Sequence, residues 1–207
     1  MLKLLGARIA VYSPHTAQDS ALFGINRQLA EGLELLDVTS LYPGQVAATR
    51  EMLDGLDESD RQSLTRELGG AGSPKDAPTL GTGRIGRLPK PKRFSELVAQ
   101  VKDMLQIPTA FAVGSDDKTI RRVAIGCGAA DEFVEAAARE GADALLLGEA
   151  RFHACLEARA RNLALILAGH YATEKFATCI LADRIARKFP ELVVKTSAKE
   201  SDPLRAI

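Results

Sequence analysis

Three histidines occur in the chain, and each follows closely on a short apolar run: His15 after "IAVYSP", His153 after "ALLLGEARF" and His170 after "LILAG". Two of them have a carboxylate four residues on, Asp19 after His15 and Glu174 after His170. On a helix that spacing puts both side chains on one face. Imidazole nitrogen with carboxylate oxygen is a donor mix suited to Zn, Mn, Fe, Co or Ni, and it is too nitrogen-rich for a Ca or Mg cage. Each residue also has a plainer reading. A histidine at a strand end can be a hydrogen-bonded structural residue, and a carboxylate in the first turn of a helix is favoured by the helix dipole. The joint placement of both pairs, more than either pair alone, points to a divalent-metal site built from His15, Asp19, His170 and Glu174.

Two further residues stand beside these pairs. His153 follows "LLLGEARF" on a helix and reads as a ligand, a donor to a ligand, an acid/base or a surface histidine. Glu149, at the end of the same apolar run, reads as a proton acceptor, as a group that orients a ligand or as a helix-start charge. These two are the candidate catalytic residues. The segment "GTGRIG", residues 81–86, invites a phosphate-loop reading. No strand is read before it and no Gly-Lys-Ser/Thr follows, so it fails both nucleotide-loop contexts and reads as a loop. Arg84 within it is left as a group that could meet an anionic substrate. Cys127, Cys155 and Cys179 are widely spaced and odd in number. They read as reduced thiols packed like small apolar residues, with neither a disulfide framework nor a CxxC knuckle.

Elements that would position these residues follow from the hydrophobic pattern. Residues 7–13 read as a buried strand and "ALFGINRQLAEGLELL" as a helix with Leu22, Ile25, Leu29 and Leu33 on one face. Residues 43–92 read as an excursion: a charged stretch able to form exposed helices, then the Gly-, Pro- and Lys-rich "AGSPKDAPTLGTGRIGRLPKPK" as loop. "RFSELVAQVKDML" is an amphipathic helix with Ser95 as a candidate N-cap. "TAFAVG" and "IRRVAIGC" read as strands joined through a hairpin-like turn at Asp116-Asp117. From residue 119 strands and helices alternate: "ADEFVEAAAREG", "ARFHACLEARARN" and "HYATEKFATCILADRIARKF" as helices, "ADALLLG", "LALILAG" and a final "ELVVKTS" as strands. Short apolar runs without alternation imply strands covered on both faces. The expected fold is a single layered α/β domain over residues 1–207, with a mixed, largely parallel sheet covered by helices. In such sheets ligands gather beyond the carboxyl ends of the strands, where all three histidines fall.

Composition narrows the function classes. The 207 residues are 46% hydrophobic, with 27 Lys plus Arg against 27 Asp plus Glu. A net field that would gather nucleic acid or anionic membrane is absent, so neither partner is expected. No apolar run approaches the roughly 18 residues needed to span a bilayer. The N-terminal "MLKLLGARIAVY" lacks a small-residue cleavage site and reads as a structural element, so the expected location is the cytoplasm.

The segments "AVYSPHTAQD", "GTGRIGRL", "VAIGCGAADEFVEAA", "GADALLLGEARFHACLEA" and "AGHYATE" resemble, in order, the signature segments of the NIF-three-like dinuclear metal centre proteins, also called GTP cyclohydrolase 1 type 2 homologues. The resemblance implies a layered α/β fold and a homo-oligomeric, typically hexameric ring with metal pairs facing an internal cavity. It assigns metal ligation to His15 and Asp19 of the HT-x-x-D segment and to His170 and Glu174 of the GH-x-x-x-E segment, and it sets His153 near that site. It also implies a preceding portion with a His-His-Pro stretch that supplies further ligands, and no His-His pair occurs in this chain. The expectation is therefore a fragment, a mis-assigned start or a shortened member with an incomplete site, holding one metal or a weak pair. The functional expectation is a metal-dependent hydrolase acting on a nucleotide such as GTP, with a metal-activated water as nucleophile. The alternatives are a non-enzymatic metal-binding scaffold and an inactive fragment of a longer protein.

Overall fold

The computed structural model describes residues 2–47 and 79–205. Short helices α1 (Leu2–Gly6) and α2 (Thr16–Ser20) precede α3 (Ile25–Gly32), then strands β1 (Leu36–Thr39) and β2 (Tyr42–Ala47). Beyond residue 78 come β3 (Thr79–Thr82), β4 (Arg84–Arg93), α4 (Phe94–Leu105), β5 (Phe111–Val113) and β6 (Thr119–Ala129). The chain continues as α5 (Phe133–Arg139), β7 (Ala144–Glu149), α6 (Phe152–Ala160), β8 (Ala164–Leu167) and α7 (His170–Lys188). Six strands form one mixed sheet in the order β1-β4-β6-β7-β8-β5, and β2 with β3 forms a separate antiparallel pair.

The centre of the sheet is β6, β7 and β8, mutually parallel. β4 and β5 run against it on either side, and β1 pairs antiparallel to β4, so four of the six strands share one direction. Both faces are covered because side chains alternate along each strand. Val123, Ile125, Cys127, Leu146 and Ile166 pack with α3, α4 and α7 on one side. Ala124, Leu145, Leu147 and Leu165 pack with α5 and α6 on the other. These are the non-alternating apolar runs of the sequence, and they are buried on two sides.

Several local expectations are corrected. Residues 79–93 are strand, not loop: "RIGRLPKPKR" is β4 and occupies an interior position between β1 and β6. Its two prolines are tolerated because the register with β6 shifts between Arg87 and Lys92, the interval that holds Pro89 and Pro91. A proline has no N–H to give a ladder, and a bulge asks for none. Residues 48–78, with the charged stretch read as helical and the start of the segment read as loop, lie outside the described residues. β5 pairs with β8, so it forms no hairpin with β6. The run at 9–13 joins no strand ladder; Ile9, Val11 and Tyr12 are exposed, Tyr12 at 85%. An apolar run becomes a strand only where a sheet edge accepts its backbone. "ELVVKTS" is likewise irregular, with Val193 exposed. Helix α4 is capped by Glu96, whose side chain accepts the Arg93 N–H at 2.9 Å, and not by Ser95. Among the described residues, no helix is long and apolar enough to cross a membrane.

Candidate metal centre

Strands β6, β7 and β8 end side by side, and each delivers one functional residue. β6 carries Cys127 and Gly128 just before its end at Ala129, β7 ends on Glu149, and β8 leads through Gly169 into His170, the first residue of α7. The parallel register of β6, β7 and β8 aligns these ends. Gly128 has φ +62°, and a Cβ there would lie 2.4 Å from Glu174 Oε1 and 3.0 Å from His170 Nε2. Only glycine leaves this space to polar atoms. At Gly148 a Cβ would meet the Gly128 carbonyl at 2.6 Å and the Thr173 hydroxyl at 2.8 Å, so α7 seats directly on the strand ends.

His170 is held at both nitrogens. Nδ1 lies 2.8 Å from Glu149 Oε1 and Nε2 lies 3.2 Å from Glu174 Oε1. Hydrogen bonding to Glu149, with the nearby charge of Glu174, raises the His170 pKa against a smaller loss from burial. Thr173, fully buried, accepts the Gly128 N–H at 3.0 Å and donates within the first turn of α7. His15 and Asp19 arrive from the other side of the cavity. α2 has five residues and buries none of them, and His15 at its start has φ 45° and ψ −127°, a sparsely populated region for a non-glycine residue. Buried Asn26 of α3 ties α2 to β6: its Nδ2 donates to the Asp19 carbonyl at 3.1 Å, and its Oδ1 accepts the Cys127 N–H at 2.7 Å.

His15, Asp19, His170 and Glu174 all line one cavity of about 650 Å³. A second cavity, of about 410 Å³, is lined by Asp19 and Cys127 among others. Ligand atoms of Asp19, Cys127 and Glu174 lie within 4.8 Å of one another. Bonds of roughly 2.0–2.3 Å to oxygen and sulfur put such atoms within reach of a single cation. Burial raises the pKa of both Asp19 and Glu174, and only partly do the Cys127 thiol hydrogen bond and the charges of His15 and His170 offset it at Asp19. Burial and the two carboxylates together push the Cys127 thiol far up. Three acidic groups that resist ionising together form a set a divalent cation would relieve. The donor chemistry and the space opposite Gly128 therefore fit a metal ion.

The fold brings together both His/carboxylate pairs that the sequence singles out. Of the two candidate catalytic residues, Glu149 joins the cluster through His170. His153 is exposed on α6 and lines neither cavity. Arg84 lines neither of these two cavities. It is 4% exposed and donates to the carbonyls of Gly81, Gly83, Ser20 and Ala21. Burial and nearby Arg27 lower its pKa to about 10. Asp131, also at a strand end, pairs with Arg151 ahead of α6. Sequence reasoning missed Cys127, Asn26 and Thr173. The position of Cys127 at the end of a central strand was the available signal; Asn26 and Thr173 gave none.

The Duf34/NIF3 (NGG1p interacting factor 3) family model matches residues 1–203. The chain belongs to the Duf34/NIF3 family. It is 29% identical over 211 aligned residues to the protein NIF3 homolog of Schizosaccharomyces pombe, covering 99% of this chain and 66% of that protein. It is 32% identical to a GTP cyclohydrolase 1 type 2 homolog of a Nostoc species, over 89% of this chain and 57% of the relative. It thus spans less than two thirds of the length of either curated relative. The crystal structure of a Bacillus cereus protein related to NIF3 superposes with a TM-score of 0.78 at 21% identity, over all of this chain and 76% of that one. Reduced HcgD from Methanocaldococcus jannaschii superposes at 0.61 and 22% identity, over 89% of this chain and 59% of that one. These likenesses bear out the α/β fold expected for the Duf34/NIF3 family.

Proposed function

We propose that this Duf34/NIF3 chain holds a divalent transition metal through His15, Asp19, His170 and Glu174, and that the loaded site hydrolyses a nucleotide or a related small molecule. The observation that carries the reading is the convergence of two carboxylates, a thiol and His170 Nε2 at the carboxyl ends of three parallel strands. When bound, a divalent ion supplies a Lewis acid at the wall of the cavity. The chain's own groups do the remaining work. Glu149 accepts a hydrogen bond from His170 Nδ1–H and so fixes the tautomer that would leave the Nε2 lone pair to a metal beside Glu174. A cavity of about 650 Å³ suits a ligand of nucleotide size. The name GTP cyclohydrolase 1 type 2 homolog, borne by relatives, suggests a purine nucleotide as the first substrate to test.

The test is metal analysis of the purified chain followed by a turnover screen of nucleotides with added Mn, Zn or Fe. Replacing His170 and Glu174 together by Ala removes the metal if the reading is right; stoichiometric metal in that variant rules the site out. A second reading is a metal-bearing scaffold that assembles with copies of itself. The exposed apolar side chains of Tyr12, Phe111 and Val193, each more than 80% accessible, favour it. Turnover that disappears in His15→Ala argues for the enzyme; assembly without turnover on any nucleotide argues for the scaffold.

A further inference from the structure

Cys127 differs from an ordinary core cysteine in what its sulfur meets. The residue is 7% exposed and sits in the apolar layer under α3 and α7. Yet Sγ is within 4.8 Å of carboxylate oxygens of both Asp19 and Glu174. A cysteine placed only for packing would turn its sulfur to carbon.

The surrounding hydrogen bonds fix the backbone that carries that sulfur. The Cys127 N–H is held by Asn26, the same side chain that grips the Asp19 carbonyl. The next N–H, of Gly128, is held by Thr173, one residue before Glu174. The peptide that carries the sulfur is therefore fastened separately to α3 and to α7. Cys127 also lines the second cavity together with Asp19, so the residue borders open space and not only core.

We propose that Cys127 binds the metal through its thiolate, completing with Asp19 and Glu174 a mixed sulfur–oxygen site that selects zinc or ferrous iron over manganese. This rests on the metal-binding reading above and deepens it. Binding replaces the S–H bond by a sulfur–metal bond, and the proton leaves to solvent. The selectivity follows from ligand softness: thiolate sulfur strengthens the preference for Zn and Fe(II), whereas an all-oxygen or oxygen–nitrogen set discriminates less strongly against Mn.

The probe is cobalt(II), added to the metal-free 207-residue chain carrying Cys155→Ser and Cys179→Ser. Cys127 is then the sole source of a thiolate, since the chain has three cysteines. The expected result is an ultraviolet sulfur-to-cobalt charge-transfer band that saturates at the same metal ratio as the visible cobalt bands. Adding Cys127→Ser removes the ultraviolet band, weakens zinc binding by roughly tenfold or more and leaves manganese binding within about threefold. Cobalt bound without the ultraviolet band overturns the proposal and leaves the metal site standing, with Cys127 a neutral donor that positions Asp19. No cobalt bound at all overturns the proposal together with the metal reading on which it rests. The band in the single-cysteine chain decides the matter even if Cys127→Ser does not fold.

Discussion

The candidate centre has two halves, and they are made rigid in different ways. The late half, His170, Glu174 and Glu149, stands on the ends of parallel strands whose side chains are buried on both faces. α7 is pressed against those ends by glycine contacts and by the fully buried Thr173. The early half, His15 and Asp19, sits on a five-residue helix with no buried side chain. Polar clamps hold it in place. Asn26 joins Asp19 to β6, and Arg84 gathers the carbonyls of Ser20 and Ala21 at the end of α2. One half is preorganised by the core, the other by two buried polar side chains, so mutations should separate them.

Gly128→Ala should have the largest effect, because it strikes where the halves meet. The added methyl would press on Glu174 Oε1 at 2.4 Å in a backbone conformation with φ +62°. Bound metal should be lost altogether, with about 1–2 kcal/mol of stability lost to backbone strain, read by metal analysis and a urea melt. Full metal occupancy in this variant would show that the late half yields more easily than its packing implies.

Arg84→Met should act on the early half alone. It removes a buried guanidinium and leaves carbonyls of Gly81, Gly83, Ser20 and Ala21 without that donor, at a cost of about 3 kcal/mol. Metal affinity should fall although Arg84 touches no ligand side chain. Hydrogen exchange should rise around α2 and stay unchanged in α7; a uniform rise would erase the distinction between the halves.

Glu149→Gln tests the late half more gently. The amide can still meet His170 Nδ1, but the negative charge that raises the His170 pKa is gone. Metal affinity should drop roughly tenfold with global stability nearly unchanged, since outer partners of a ligating histidine tune affinity more than folding. An unchanged affinity by calorimetry would remove Glu149 from the site.

The smallest effect is on pH dependence. Asp19 and Glu174 hold a proton more readily folded than unfolded, because burial raises both pKa values. Their contribution to the metal-free fold is full below the ordinary carboxylate range and is lost as pH rises through the folded values. His170, also raised, adds the same sign over a window above its ordinary value of 6.5. Metal-free protein should therefore lose stability from acid toward neutral pH. Metal binds the ionised carboxylates and the neutral imidazole, so its stabilising effect runs the other way. The thermal shift on adding zinc should be small near about pH 5 and larger near about pH 8, and a shift independent of pH would show that these groups are not the ligands.

The elements from residue 119 to 188 were legible because strong apolar runs and helical periods need no partner to be recognised. β6, β7, β8 and the three helices that follow them fall where the pattern sets them. β4 was not legible: its prolines and lysines look like loop, and only the offset register with β6 makes room for them. The exposed run at 9–13 failed in the opposite sense, since its side chains suit a strand but no edge takes up its backbone.

The sequence by itself determined the apolar runs, the helix starts and the four-residue His/carboxylate spacings, because these are local properties of the chain. It thereby singled out His15, Asp19, His170 and Glu174. Only the tertiary structure decided that the early pair meets the late pair across some 150 residues, that Cys127 turns its sulfur toward both carboxylates, and that Arg84 is a clamp for α2. Contacts of that kind depend on the register of the sheet and on which buried polar group finds which carbonyl. No spacing along the chain encodes them, because each is settled by the requirement that buried donors and acceptors be satisfied together.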